Sequence, residues 1–401
     1  MKKWSFLITV IIAITSYGIF LNLFSISILD SNLAGLSHGG KYYDYRGVTH
    51  VHSSLSTGSA PQDEIAADAR EAGLDFIFFT ELNYFGQGPR PEGYFEKVLM
   101  LQADEISYLD SHLLLYSLNK KSFSTLGDGQ VYLSDLLSRR RHDQVNEFAV
   151  LAHPYKDGYL WSGEYPNGLL GIETLNLKSI WQEAWNTTRL SFLWSLFIYP
   201  FNPQLSLMRM YVEPKKELAL WQSLNQKGHT TAFLGNDTTA HALPLGKGMF
   251  KFPTYLDSFK IASNHILLRS ELTGQLAGDK EKIFRALMNG QFYLCLDLLG
   301  DPKGFSAELL DQSTTLLLGE HTTFKPNLKI LVTLPKKPFV PFEIGLYKDG
   351  TLQQTSNQQT ALFLIKEKGV YNILVRTIPT LPLPDGRKWL PWIYTNAFYI
   401  M

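Results

Sequence analysis

The sequence predicts an α/β protein: a parallel-stranded body, preceded by a membrane anchor and followed by an antiparallel β-module. Three observations carry that expectation. Residues 4–29 contain no charged residue. From residue 45 onward, short apolar runs that end in polar residues alternate with helical patterns. After about residue 300 the helical patterns stop, and short alternating runs take over. The expected divisions are 1–30 for the anchor, 31–41 for a linker, 42–302 for the body and 303–401 for a β-sandwich.

The anchor comes first. Lys2 and Lys3 precede the uncharged run from Trp4 to Leu29. As a helix, that run would span roughly 39 Å, enough to cross a hydrocarbon core of ~30 Å with tilt. A signal peptide has a shorter apolar region and a small-residue cleavage site, and no clear site follows here. An anchor is therefore favoured over a cleaved signal or a buried helix. The two lysines favour a cytoplasmic N-terminus, with the rest of this single-pass chain outside the cytoplasm. Lys41 and Arg46 pull weakly the other way.

The body opens with a strand from Tyr45 to Val51 that carries His50 and His52. A strand has a period of two, so both imidazoles share one face at its C-terminal end. Alone, such a pair is more often solvated or part of a core than a metal site. Pro61 then marks a helix start, Ile65, Ala69 and Ala72 recur at helical spacing, and Gly73 supplies a C-cap. The run Asp75–Thr80 reads as a strand buried on both faces. Strand, helix and strand within about thirty residues make a βαβ unit and a parallel sheet. Further strands are expected at Glu147–Ala152, ending in His153-Pro154, and at Gly171–Asn176. A helix from Lys215 to Gln226 leads to a strand at Thr230–Leu234, which ends in Gly235-Asn236-Asp237.

His50, His52, His153 and Asp237 thus all fall at C-terminal ends of strands. Parallel α/β barrels build their sites on that face. Taken singly, His-Pro also reads as a turn and Asn-Asp as the start of a loop. The shared position is what makes the group a candidate site.

Between these strands, residues 190–211 are apolar and aromatic, and are broken by Pro200, Asn202 and Pro203. The prolines argue against a straight second span. A packed helical insertion beside the site is favoured over a membrane-contacting surface. In the terminal module, strands are expected at 328–333, 342–347, 361–365, 370–375 and 392–400, with a hairpin turn at Lys348-Asp349-Gly350. Trp389, Trp392 and Tyr394 read as core packing rather than as a carbohydrate contact.

Composition sets outer limits. With 401 residues, the chain is long enough for two domains and a sizeable core. Lys+Arg and Asp+Glu are both 37, so no net charge draws it toward nucleic acid, which is not expected as a partner. The densest run of like charge, Arg139-Arg140-Arg141, reads as a solvated helix face. The single cysteine, Cys295, excludes an internal disulfide and a Cys-rich zinc site. It lies in an apolar run and reads as a small buried hydrophobe.

Several of these pieces, in this order, resemble the PHP (polymerase and histidinol phosphatase) metal-dependent hydrolases, in particular the branch with a carbamate-pesticide hydrolase. Arg46–Ser53 is similar to the opening H-x-H motif, and Pro61–Gly73 to the helix after it. Thr80-Glu81-Leu82-Asn83 stands where the family has Thr-Asp-His-Asn. Glu105, with His112 seven residues on, resembles the family's Glu and following His. Ala152-His153-Pro154 and Gly235-Asn236-Asp237 are similar to later motifs, and Pro391–Asn396 to an ending common in that branch.

The resemblance implies an irregular (β/α)7 barrel with up to three metals. One metal would take His50, His52, Glu105 and Asp237. A second would take His112 and His153, and share Glu105. Third-metal positions fall on Thr57, Leu82 and Thr239, none of them a good ligand, which favours a two-metal site. His241, two places late, is a substitute only if its loop bends. The imidazole and carboxylate set suits Zn, Mn or Fe.

The expected function is a membrane-anchored, metal-dependent hydrolase acting on a small, phosphorylated substrate. Glu105, His153 and Asp237 would be its catalytic residues. Amide, carbamate or carboxylic ester hydrolysis is the second choice. Lys156 is a candidate phosphate contact, and Glu81 is either a proton donor or a polar rim residue. The alternative from another class is a degenerate barrel that binds a ligand or partner.

Overall fold

A computed structural model describes residues 2–30, 42–86, 90–119, 121–139, 144–245, 248–311, 314–383 and 385–401. The expected linker, residues 31–41, lies outside these, as do Arg140 and Arg141.

Helix α1 (Lys2–Asn22) contains a 19-residue stretch, Trp4–Asn22, that is long and apolar enough to cross a membrane. Its length is about 29 Å, close to the ~30 Å core of a bilayer. The expected run to Leu29 is too long. After Asn22 the chain leaves the helix, and Ile26 and Ile28 are buried in the body. The Ile28 N–H donates to the Leu299 carbonyl at 2.6 Å, and its own carbonyl accepts from Phe339 at 3.1 Å. Contacts from distant parts of the chain end this helix, and the local hydropathy does not register them.

The body is a mixed α/β fold. Its strands are β1 (Tyr43–Val51), β2 (Phe76–Leu82), β3 (Gly93–Phe95), β4 (Val98–Tyr108), β5 (Ser111–Ser117), β6 (Glu147–Leu151), β7 (Leu169–Asn176) and β8 (Thr231–Gly235). Neighbours run β1-β2-β4-β5-β6-β7-β8. The β1/β2/β4 and β6/β7/β8 groups are parallel. Helix α2 (Gln62–Glu71) makes the β1–β2 crossover, and Gly73 follows it at φ 77, as a C-cap glycine does.

Strand β5 was not anticipated. It forms a hairpin with β4 and runs antiparallel to both neighbours. A bridge between Val51 and Thr238 brings the end of β8 back to β1, so the sheet curls on itself. Tyr116, Phe148 and Phe233 fill its interior, with Tyr116 and Phe148 stacked at 5.0 Å. Helix α3 (Leu126–Ser138) precedes β6. Between β7 and β8 come α4 (Leu177–Thr187), α5 (Arg189–Ile198), α6 (Pro203–Arg209) and α7 (Lys215–Lys227). Pro200 lies between α5 and α6, and Pro203 opens α6 in its first turn.

A short hairpin, β9 (Ala242–Leu245) and β10 (Gly248–Lys251), and helix α8 (Tyr255–Phe259) lead to β11 (Ser263–Leu268), which pairs antiparallel with β1. After α9 (Leu276–Met288), β12 (Phe292–Cys295) pairs with β11. The remaining strands are β13 (Ser306–Leu310), β14 (Thr315–Leu316), β15 (His321–Thr322), β16 (Lys329–Thr333), β17 (Phe342–Lys348), β18 (Thr351–Ser356), β19 (Thr360–Leu364), β20 (Gly369–Thr377), β21 (Leu390–Thr395) and β22 (Phe398–Ile400).

Strands β14-β13-β16-β19 form a separate sheet, whereas β21 pairs with β12 and continues the sheet of the body. Asp349 and Gly350 turn the β17–β18 hairpin, both at positive φ, as a two-residue turn requires. Trp392 and Tyr394 are buried, and the Trp392 indole donates to the Gly300 carbonyl at 2.9 Å. Trp389 is exposed.

Candidate metal centre

The six candidate ligands converge. His50, His52 and Asp237 form one buried cluster, and Glu105, His112 and His153 form a second. Strand ends supply most of them: the end of β1 and the residue after it give His50 and His52, the loops after β6 and β8 give His153 and Asp237, and β4 gives Glu105. The β4–β5 hairpin accounts for the seven-residue gap between Glu105 and His112. It pairs Ser107 with His112, so Glu105 is their diagonal neighbour on the same face.

Glu105 lies between the clusters. Its Oε2 stands 3.1 Å from His52 Nε2 and 3.6 Å from His50 Nε2. Its Oε1 faces the other side, 2.9 Å from His112 Nδ1 and 3.2 Å from His153 Nε2. Asp237 Oδ1 is 3.6 Å from His52 Nε2 and 3.9 Å from His50 Nε2. The two Nε2 atoms of His50 and His52 are 3.2 Å apart. With metal–nitrogen bonds of about 2.0–2.1 Å, the edge of a tetrahedral ligand shell is about 3.3 Å. The donor atoms and their spacing therefore fit a divalent cation in each cluster.

Charge supports the same use. Burial raises the Glu105 carboxyl, but His50, His112 and His153 outweigh it and hold the group well below its ordinary range. Burial also raises Asp237, and the ammonium groups of Lys178 and Lys156 together with His50 pull it well below. Both are carboxylates at neutral pH, the form a ligand needs. Lys156 Nζ is 2.8 Å from Asp237 Oδ2, and Lys178 Nζ is 3.4 Å from Oδ1.

Two of the ligand candidates have unusual backbones. His153 sits at φ 30 and Asp237 at φ 46. Non-glycine residues pay of order 1–3 kcal/mol for such conformations, which cluster at functional sites. The His153 N–H is held by Glu173 Oε2 at 2.9 Å.

Glu173 is the residue that the sequence reading missed. It is fully buried on β7 and its Oε1 takes the Nδ1 side of His50 at 2.8 Å. That contact fixes the tautomer and turns the Nε2 lone pair toward the cluster. Its Oε2 also accepts from Asn176. Lys178 was missed as well. A lysine one residue into a helix carries no sequence signal of a site.

Of the third-metal positions, Thr57 is exposed. Leu82 is half-buried and Thr239 is buried. Beside them, the buried Glu81 carboxylate accepts from the Ser53 N–H and hydroxyl, the Ser56 hydroxyl and the Gln62 amide. Glu81 is thus held in a structural network rather than poised at a rim. His241 is exposed and belongs to none of the metal-type clusters among the described residues.

Another such cluster, His265, Cys295 and Asp297, lies elsewhere. Its groups are already paired: His265 bridges Asp44 and Asp297 at 2.8 Å each, and Arg46 neutralises Asp297 at 3.3 Å. Asp44 is six residues before His50 on β1, which places this clamp about 20 Å from the centre.

A cavity of about 420 Å³ has Tyr155, Ser179, Ile180, Val212 and Pro214 in its walls. None of the six ligand candidates lines it, but Tyr155 and Ser179 are chain neighbours of Lys156 and Lys178.

No family model matches the chain, and neither does any curated protein. Among solved structures, it is similar to a two-domain protein from Bacteroides vulgatus ATCC 8482 containing a predicted PHP-like metal-dependent phosphoesterase. That likeness has 12% identity and a TM-score of 0.37, and covers 88% of this chain and 95% of that one. A candidate metal-dependent phosphoesterase from Bifidobacterium adolescentis ATCC 15703 is 13% identical at a TM-score of 0.26, over 51% of this chain and 92% of the other. At these scores the likenesses carry no part of the functional reading, which rests on the centre itself.

Proposed function

We propose that this chain is a membrane-anchored, metal-dependent hydrolase of the PHP type, a phosphoesterase that binds two divalent cations. The observation behind it is the divided engagement of Glu105, one oxygen toward His50 and His52 and the other toward His112 and His153. His50, His52 and Asp237 would hold one cation, His112 and His153 the other, and Glu105 would serve both. Zn, Mn and Fe all suit this donor set. When bound, such a pair supplies a water acidic enough to act as hydroxide near neutral pH, and offsets charge on the attacking and leaving oxygens.

The protein's own groups do the rest. Glu173 locks His50 in one tautomer. Lys156 and Lys178 place positive charge beside Asp237, where a phosphate's charge would lie. That favours a phosphate ester over an amide, carbamate or carboxylic ester. Asp237 divides its carboxylate between the histidine pair and Lys156. The cavity beside Tyr155 is of a size to take the organic part of a small substrate. Helix α1 would cross the membrane, with Lys2 and Lys3 on the cytoplasmic side and the centre outside.

Metal analysis of the full-length protein in detergent tests this reading. We expect close to two metals per chain, and less than one in Glu105→Ala, because both clusters lose a ligand. No metal after growth in Mn or Zn would sink the proposal. Phosphate and carboxylic esters offered to the loaded protein then decide the substrate class. Metal without turnover of either would point to a binding protein.

A further inference from the structure

We propose that helix α5 and the loop at Leu383 rest in the same bilayer as α1, so that the chain meets the membrane through a broad patch and not one helix. The inference rests on the reading of α1 as a span. Its last turns do not run free. The Phe201 ring lies against Gly18, so close that a Cβ there would stand 2.4 Å from it. The ring of Tyr17 is 6.1 Å from that of Trp194, which in turn stacks on Phe197 at 5.1 Å. The Asn202 amide donates to the Leu21 and Phe24 carbonyls at 2.8 and 3.0 Å. The α5–α6 turn therefore grips the end of α1.

Next to that grip, apolar side chains stand exposed. On α5 these are Leu190, Leu193 and Phe197, with Leu190 84% exposed. Spacings of three and four put them on one helix face. The segment has no charge from residue 190 to 208. A third stretch of chain joins them: Leu383 is 82% exposed, and its carbonyl accepts from the Tyr17 hydroxyl. At the edge of the patch, the Arg189 guanidinium sits 4.9 Å from the ring of Trp185. Trp and Arg are residues that settle at headgroup level.

The depth also agrees. Tyr17 lies five residues before the end of α1, or about 7.5 Å along it. Interfacial helices sit about 5–10 Å into the headgroup boundary. The occupant is a phospholipid bilayer because the patch is continuous with α1, whose apolar length matches a bilayer core.

Full-length protein in phosphatidylcholine vesicles provides the test. The variants Leu193→Cys, Phe197→Cys and Leu383→Cys each carry an NBD label, with Ile12→Cys on α1 and Val131→Cys on α3 as references and wild type, with its buried Cys295, as the blank. We expect nitroxide-labelled lipid to quench the labels at 193, 197 and 383 several-fold more than the label at 131. Quenching at 12 but not at 193 and 197 would overturn this proposal and leave the span intact. Absence of quenching at 12 as well would overturn both. Energy transfer between labelled chains at 193 without lipid quenching would assign the face to a second copy, and would also overturn the proposal.

Discussion

A histidine offers two ring nitrogens, and a metal ligand is defined only when one of them is committed elsewhere. Glu173 makes that commitment for His50 at 2.8 Å. Glu173→Gln keeps the size but cannot satisfy both His50 and the His153 N–H as a carboxylate does. We expect metal affinity to fall about 10- to 100-fold, as read by competition with a chelator; unchanged affinity would remove Glu173 from the centre. Glu81 makes a contrasting case. Glu81→Gln turns an amide donor toward Ser53, Ser56 and Gln62, and should cost about 1–3 kcal/mol of stability in urea while metal content stays the same. A pH–rate profile that lost a limb in this variant would instead restore Glu81 as a proton donor. The candidate ligands His50, His52, His153 and Asp237 were legible as a group because each stands where an apolar run stops. Glu173 was not, because it sits inside such a run and its partner is 123 residues away.

Elements decide which residues face one another. The β4–β5 hairpin sets His112 against Glu105, yet its turn, Leu109-Asp110, has none of the glycine or asparagine that announces a hairpin. Leu109 pays for that with φ 51. Leu109→Gly should therefore stabilise the fold by about 1 kcal/mol, seen as a higher urea midpoint with an unchanged slope. Strand β11 brings a pH response. Burial lowers the pKa of His265, but Asp44 and Asp297 outweigh it and raise it to about 9. The folded value exceeds the unfolded one of about 6.5, so the clamp's contribution is complete below pH 6.5 and is lost as pH rises through 9. That loss should approach about 3 kcal/mol in unfolding experiments across the interval. His265→Gln should flatten the curve there; an unchanged curve would mean another group sets it.

At the scale of the whole molecule, the terminal strands do not stand apart. The pairing of β12 with β21 carries the body's sheet past residue 302. The Asn396 side chain accepts from the Ala232 N–H and donates to the Ala232 and Phe292 carbonyls. Asn396→Ala would strand three buried backbone groups, at a cost of about 3 kcal/mol or more. A chain cut after residue 302 should fail to fold by circular dichroism, and a folded product would show that the body is self-sufficient. The antiparallel character of 303–401 was legible in its alternating runs and its Asp349-Gly350 turn. Which strands they join was not, since that pairing is set across roughly a hundred residues. The seating of Ile28 between Leu299 and Phe339 reaches furthest. In a chain inserted through α1, it leaves no slack between the span and the centre. The centre would then be held close to one leaflet and would move only within the plane of the membrane. A substrate confined to that leaflet would then be met at a surface density, and a soluble one still at its bulk concentration.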